Sequence, residues 1–517
     1  MYDNYVITNI NGIAIDEADT RFTALAVENG RIAEVGSAED VASFIKDGWP
    51  ALDMQGATVL PGFIDAHQHL GLTGQVLGGL DLFKAESLKE VSELIQKDAT
   101  DKTPGEWILG YAFNDVTLKV PSMPLRTELD ELCPDHPVMI VHCTWHLCSL
   151  NSRALQLLNL PEDLPGMDID NNGIPTGIVR DPGAVTHVFP AMSVLTPDSI
   201  KLKRFTKACL AAAKEGITSI HCLEGGEYGP GDTGLIQKHK EQFPLNLILW
   251  NQVMDIEETK ELGLPRIGGC ICADGAIDAY TAALFEPYCD QPENCGTLNF
   301  SQQQMDDFIM DAHKAGLQIT IHCETDAAIE QVLSAMEKAL AAYPRSDHRH
   351  RIEHCEIPAA DQLDRMAEAE IIGSMQPGFI PHLVDMDEYE KMFGKARLRW
   401  LHPYRTMLDK GIVLCGGSDC PVTPYSPLTG IQAAMLHPNK EERISALEAI
   451  RMFTIDAAFS AFEEKERGSI EQGKYADLVV LAKDPLTTSP EKIRDIKIIK
   501  TIVEGKPVED VRDGPAN

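Results

Sequence analysis

The chain has 517 residues, 44% of them hydrophobic, enough for one large domain with additions or for about two to three domains. Lysine and arginine number 45 against 79 aspartates and glutamates, a formal net charge of −34, which argues against DNA, RNA or an anionic membrane as the main partner, since all three attract positive surfaces. The opening MYDNYVITNINGIAI lacks the basic patch and apolar core of a signal peptide, no stretch is long and apolar enough to span a bilayer, and the 13 cysteines, without framework spacing, read as reduced thiols of a cytoplasmic protein.

Residues 1–58 read as short strands, YVITNINGIAI and FTALAVENGRIAEVG, with turn signals at Asn11-Gly12 and Asn29-Gly30. An apolar run, Thr58–Ile64, then ends in Asp65 and His67-Gln68-His69. From there the pattern alternates strand and helix. The predicted strands are 58–65, 217–222, 245–253, 269–274, 318–323, 351–355, 371–376 and 412–415, short and mostly β-branched or apolar, as buried parallel strands are. Helices are predicted over 198–215, stopped by Gly216, over 301–315, stopped by Gly316, over 326–342, and from the capping box Ser445–Glu448 to about Phe462.

Strands alternating with helices in this way predict an α/β fold, a (β/α)8 barrel over 59–464, with its chemistry at the C-terminal strand ends. Residues 72–200 are too long for one crossover helix and are predicted to form an inserted, lid-like subdomain; an insertion on the outer face is the other reading. The insertion holds a further strand at 137–142 and a hairpin, MDIDNNGIPTGIV, turning at 171–173. After the barrel, YADLVVLA and IKIIKTIVE read as strands, so 1–58 and 465–517 are expected to build one composite β-domain.

Side chains alternate along a strand, so His67 and His69 point the same way and can share one metal ion. His322 ends ITIH, His354 ends RIEH and Asp419 follows LCGGS, each at the predicted mouth of the barrel. Histidines and a carboxylate converging from several strand ends form a metal constellation. A nearby cation keeps Asp419 ionised, able to take a proton from a water that the metal has acidified. Such ligands suit zinc and leave iron and manganese open.

The segments PGFIDAHQH, HLCSLNSRAL, GIPTGIVRD, GITSIHC, ADGAIDAYTAALFEPY, IHCETDAA, HRIEHCE, SMQP, GGSDCPVTPYSPLTGI and GSIEQGKYADLVVL resemble the amidohydrolase superfamily along essentially the whole chain. HLCSLNSRAL, ADGA and SMQP place the resemblance in the branch of YtcJ-like proteins and N-substituted formamide deformylases. The resemblance implies a distorted (β/α)8 barrel with a small β-sandwich built from both termini. It implies a metal-dependent hydrolase of a carbon–nitrogen bond, with one metal on His67, His69 and Asp419, a second on His322 and His354, and Asp419 as proton shuttle for a metal-activated hydroxide.

Many relatives carry a metal-bridging lysine in the order Lys-x-x-x-Asp-Gly; here the string is Cys270-Ile271-Cys272-Ala273-Asp274-Gly275. Two readings of Cys270 stay open: a thiolate that bridges two cations, or a small apolar filler beside a single metal. Relatives usually have His-Asp where this chain has His221-Cys222; His221 remains a pocket candidate and Cys222 has no assigned role. Further substrate-facing candidates are His146 and Asn151, Arg180 (a carboxylate clamp or a surface ion pair), Asp274 (a substrate contact or a local cap) and Gln376. Trp145 reads as core. The favoured function is hydrolysis of an amide-type bond of a small molecule. The alternatives are a one-metal deaminase of a heterocycle with His354 as electrophilic partner, and a non-catalytic scaffold. Subunit number is not legible in the sequence; a symmetric homodimer is the commonest outcome.

Overall fold

The computed structural model describes residues 3–82, 85–113, 122–143, 145, 147–161 and 163–508. The chain divides into two compact units, one within Met1–Gln68, Cys209–Leu223 and Lys240–Asn517, the other within His69–Ala208 and Glu224–His239.

The first unit carries the barrel. Its strands, Phe63–Gln68, Ile217–Glu224, Asn246–Asn251, Arg266–Cys272, Gln318–Thr325, Arg351–Ile357, Ile372–Met375 and Leu414–Gly416, form one eight-stranded sheet in chain order among the described residues. Neighbours pair in parallel. The sheet nearly closes on itself. Beyond the last strand, the Asp419 N–H donates to the His67 carbonyl at 2.8 Å, and Gln68 and Cys420 form an isolated parallel bridge.

The predicted strand over 58–65 is two strands in two sheets. Thr58–Pro61 pairs antiparallel with Leu478–Leu481, whereas Phe63–Gln68 pairs with Ile217–Glu224. The change happens at Gly62, whose N–H donates to the Asp477 carbonyl at 2.8 Å while the next N–H, of Phe63, donates to Gly216 at 3.0 Å. A Cβ on Gly62 would stand 2.2 Å from the Thr218 side chain. Every residue on both sides of the switch is buried, so an unbroken apolar run conceals it.

Both ends of the chain supply the second sheet of this unit. Lys506–Pro507, Ile498–Val503, Leu478–Leu481, Thr58–Pro61, Asn4–Ile13, Arg21–Glu28 and Arg31–Gly36 lie in that order, and Ala51–Asp53 pairs with Asn4–Ile13 off the main path. Tyr5, Ile7, Leu25 and Val27 pack on one face, and Val6, Ala24 and Ala26 on the other, against Val41, Phe44 and Trp49. This is period-two alternation with both faces covered. Asn29 and Gly30 (φ 49° and 81°) make the predicted hairpin turn. Asn11-Gly12 makes none. It lies within Asn4–Ile13, where the register shifts between Thr8 and Gly12 and Asn9 takes a φ of 54°, a bulge instead of a reversal. Gly12 is needed for space: a Cβ there would meet the Phe22 ring at 2.4 Å.

Among the helices, Asp326–Ala342 buries Ile329, Val332, Leu333, Met336 and Ala339 at helical spacing, each large side chain contributing about 1.5–3 kcal/mol by leaving water. Ser301 and Gln304 form a capping box for Gln302–Lys314. The Ser445–Glu448 box opens a helix that stops at Met452, short of the predicted Phe462. Thr454, at φ −138° and ψ −101°, breaks the run before a separate helix, Ile455–Phe459.

The second unit contains a six-stranded sheet in the order Met167–Ile169, Pro175–Arg180, Leu147–Leu150, Val138–His142, Ile108–Phe113, Leu80–Asp81. Met139 and Val141 join one apolar cluster, Val138 and Ile140 another, so this sheet too is apolar on both faces. No helix among the described residues is long and apolar enough to cross a membrane.

Three buried histidines in the first unit give the fold a pH dependence. The Ile319 N–H donates to His350 Nδ1 at 3.0 Å, which leaves the ring hydrogen on Nε2, facing His313 Nδ1 at 2.8 Å. His313 Nε2 in turn donates to the Tyr343 carbonyl at 2.7 Å. His348 Nδ1 accepts from the His350 N–H at 2.9 Å, and its Nε2 donates to the Ala369 carbonyl at 2.9 Å. A further proton on any of these rings would set two donors face to face. Burial lowers all three pKa values, that of His350 well below the ordinary imidazole value, and Arg345 adds to the effect. At these three rings the unfolded chain therefore binds more protons than the native one below about pH 6.5, and the stability they contribute falls as pH drops through that value. Thermal melts from pH 7.5 to 5.5 are expected to show wild-type Tm falling relative to that of a His350→Gln protein. A Tm difference between the two that stays constant across this range would contradict this.

Candidate active site

The site residues stand at or just beyond the C-terminal ends of barrel strands, and the closing seam brings first and last together. His67 lies in the first strand, Cys270 in the fourth, His322 in the fifth and His354 in the sixth, and Asp419 follows the eighth. Their donor atoms fall into two groups, each within 4.8 Å: His67, His69, Cys270 and Asp419, and Cys270, His322 and His354. Cys270 belongs to both. His67 Nε2 is 3.2 Å from Asp419 Oδ1 and 3.4 Å from Cys270 Sγ. The His354 ring centroid lies 4.9 Å from that of His67 and 4.5 Å from that of His322.

These residues fit a divalent cation. Two N, O or S donors on one tetrahedral ion at about 2.0–2.3 Å stand about 3.3–3.6 Å apart, close to the spacings found around His67. Both ring nitrogens of His354 are buried without a hydrogen-bond partner among the described residues, an expensive arrangement for an imidazole unless a ligand takes up a lone pair. The local field favours positive charge. Burial alone would lower the pKa of His67, but Asp419, Cys270 and Glu353 together raise it well above the ordinary value. At His322 burial is likewise overcome, by Cys270 and Asp274, and the pKa rises to about 9. His354, Cys355 and Asp419 have left-handed backbones, with φ of 72°, 47° and 56°. Such φ values cost roughly 1–2 kcal/mol each outside glycine and cluster where side chains are aimed for function.

Two carboxylates that the sequence reading assigned no role hold the site in place. Asp65 accepts from the Ser418 N–H at 2.8 Å and from its hydroxyl at 2.6 Å, pinning the loop one residue before Asp419; burial pushes its pKa up to about 6 against these bonds. Glu353 is 2.6 Å from His67 Nδ1, both side chains fully buried. The signal for both was an acidic residue inside an apolar strand, next to or two positions from a predicted ligand.

The other predicted residues have varied surroundings. Asp274 accepts N–H groups from Ala283 at 3.0 Å, Glu324 at 3.1 Å and Thr325 at 3.3 Å, and its Oδ1 is 3.5 Å from His322 Nε2. Burial and the neighbouring Cys270 and Asp274 drive the Cys272 thiol pKa well up. Gln376 is buried, donating to the Ser374 carbonyl at 3.2 Å, and its Oε1 has no partner among the described residues. His221 is fully buried and accepts from Arg351 through Nδ1 at 3.0 Å. In the second unit Asn151 caps Ser152–Leu158 and also bonds the backbone of Val138 and His136 at 3.0 and 2.8 Å, which commits its amide to structure. Arg180 is exposed and pairs with Asp168 at 3.2 Å. Trp145 packs in an apolar cluster with Tyr111 and Phe189. His146 lies outside the described residues.

The chain is similar to known proteins along nearly its whole length. YtcJ of Bacillus subtilis (strain 168) is 30% identical over 529 residues, covering 95% of this chain and 96% of that protein. N-substituted formamide deformylase of Arthrobacter pascens is 29% identical over 539 residues, covering 97% of each. A crystal structure of an uncharacterized metal-dependent hydrolase from Pyrococcus furiosus has a TM-score of 0.79 and 26% identity, covering 94% of this chain and 100% of that one. The profile described as the amidohydrolase family matches residues 51–509. Because that match runs from the strand Ala51–Asp53 through every barrel strand into the C-terminal strands, the chain belongs to the amidohydrolase family.

Proposed function

We propose that this amidohydrolase cleaves an amide-type bond of a small molecule with Asp419 carrying the proton, and that two divalent cations, zinc by chemistry of the donor set, are held on either side of Cys270. The observation that carries this reading is the place of Cys270 Sγ in both donor groups. His67, His69 and Asp419 would hold one ion and His322 and His354 the other, with the Cys270 thiolate between. A thiol between two cations loses its proton, whereas a buried thiol without them is inert. Bound divalent cations supply an acidified water and polarise the scissile carbonyl. Asp419 accepts the proton of the attacking water and delivers it to the leaving nitrogen, so that an amide and water give a carboxylate and an amine. Asp274 keeps His322 oriented through Oδ1. Since a relative is named N-substituted formamide deformylase, N-substituted formamides are the first substrates to try, with formate and amine as products.

Metal analysis of the purified protein is expected to give about two zinc ions per chain. Chelation should abolish formate release, and zinc should restore it. Content near one with ammonia released from heterocycles would move the assignment to a one-metal deaminase. Gently purified protein that is metal-free and cannot rebind zinc would remove the metal reading altogether. A Cys270→Ser protein is expected to keep its fold and lose one of the two ions; if it retained both at wild-type affinity, the shared-thiolate arrangement would be wrong.

A further inference from the structure

We infer that Glu353 is a positioning residue for the metal site: it fixes the His67 ring so that Nε2, and not Nδ1, faces the donor cluster, and Arg351 holds the Glu353 side chain in place for that purpose. This rests on reading the cluster as a metal site and extends it to residues that touch no metal or substrate.

An imidazole offers two nitrogens, and the hydrogen bond made by one decides which is free to act as ligand. His67 Nδ1 is 2.6 Å from Glu353 Oε2. A carboxylate only accepts, so the ring hydrogen sits on Nδ1 and the Nε2 lone pair points at Asp419 and Cys270. Glu353 is held in turn through its other oxygen. Arg351 grips it. Its Nε donates to Glu353 Oε1 at 2.8 Å, its Nη2 lies 2.6 Å from the same oxygen, and the Thr320 hydroxyl donates to that oxygen as well.

Arg351 is itself fully buried and anchored around the barrel interior. It donates to the Ala66 carbonyl at 2.7 Å, to the Ser374 hydroxyl at 2.8 Å and to His221 Nδ1 at 3.0 Å, and its guanidinium lies 4.7 Å from the centre of the Trp250 ring. Strands one, two, three and seven thus orient the guanidinium, and strands five and six orient the carboxylate it grips. His221 therefore helps aim Arg351, a position well suited to a supporting residue.

The alternative is a structural ion pair that happens to adjoin a ligand. The two differ in what they predict. Carboxylates that orient metal-bound histidines typically contribute 10–100-fold to metal affinity. Zinc affinity is to be measured by competition with a chromophoric chelator, beside the Tm of the metal-free protein. A Glu353→Gln protein is expected to bind one of its zinc ions 10–100-fold more weakly and to bind the other as wild type does. A purely structural pair would lower Tm and leave both affinities unchanged in the folded fraction; that result, or wild-type values throughout, overturns the inference. Should Glu353→Gln fail to fold, a crystal structure of zinc-loaded wild-type protein decides. Coordination through His67 Nε2 supports the inference and coordination through Nδ1 refutes it. Wild-type protein that binds no zinc would instead remove the metal reading, so the two failures are distinguishable.

Discussion

An Asp419→Asn protein is expected to fold, to retain zinc at least in the His322/His354 group, and to lose about 10²–10⁴ in kcat, the usual range for removing a positioned proton carrier. Asparagine has nearly the same shape as aspartate and, among non-glycine residues, tolerates the left-handed backbone that Asp419 adopts at φ 56°. The closing hydrogen bond from residue 419 N–H to the His67 carbonyl, 2.8 Å long, uses main-chain atoms and survives the change. What disappears is the ability to accept a proton, and with it about 3–5 kcal/mol of transition-state stabilisation. Because the carrier works in the chemical step, kcat and kcat/KM should fall together. Zinc must be counted on the same sample, since weaker binding beside His67 would lower activity by another route. Full activity in a zinc-replete Asp419→Asn protein would show that another group moves the proton.

The donor set was legible in the sequence because the relevant physics is local. His322 and His354 end apolar runs, Asp419 follows one, and period-two alternation places His67 with His69. What holds the donors was hidden for the opposite reason. Glu353 sits beside His354 in the same short string, yet it serves His67, 286 positions away, and no periodicity links the two. Arg351 likewise reads as the polar start of a strand until the barrel closes around it. The change of sheet at Gly62 escaped because both flanking strands are wholly buried. Asn151 is a different case: an asparagine directly before SRALQLL is an N-cap signal, and the motif around it drew attention to substrate instead. Its amide is taken up by the helix N-terminus and the neighbouring backbone. Arg180 closes a hairpin strand, and an ion pair with Asp168 across that hairpin is what its position produces.

Gly417→Ala is expected to damage fold and metal binding together, for a reason visible in the Gly416-Gly417-Ser418-Asp419 string only once the barrel is closed. A Cβ on Gly417 would lie 2.5 Å from His67 N, 2.6 Å from His67 Cβ and 2.9 Å from His67 Cα. These are mostly backbone atoms of the first strand, which cannot swing aside as a side-chain tip would. Gly417 is also tied to the seventh strand by its N–H, which donates to the Met375 carbonyl at 2.9 Å, so it cannot retreat without breaking that ladder. The added methyl must therefore separate the first and last strands and stretch the bond between Asp419 N–H and His67 carbonyl. Overpacking of this kind costs about 1–3 kcal/mol or more, and here the displaced atoms carry two of the proposed metal ligands. Gly411→Ala is the control: its surroundings are open, but its φ of 82° strains any side chain, so it should lose roughly 1–2 kcal/mol while leaving the donors in place. Both proteins should melt below wild type, and only Gly417→Ala should lose zinc affinity at the His67 group. If Gly417→Ala bound zinc as tightly as Gly411→Ala, the close approach of the first and last strands would not be what brings Asp419 to His67.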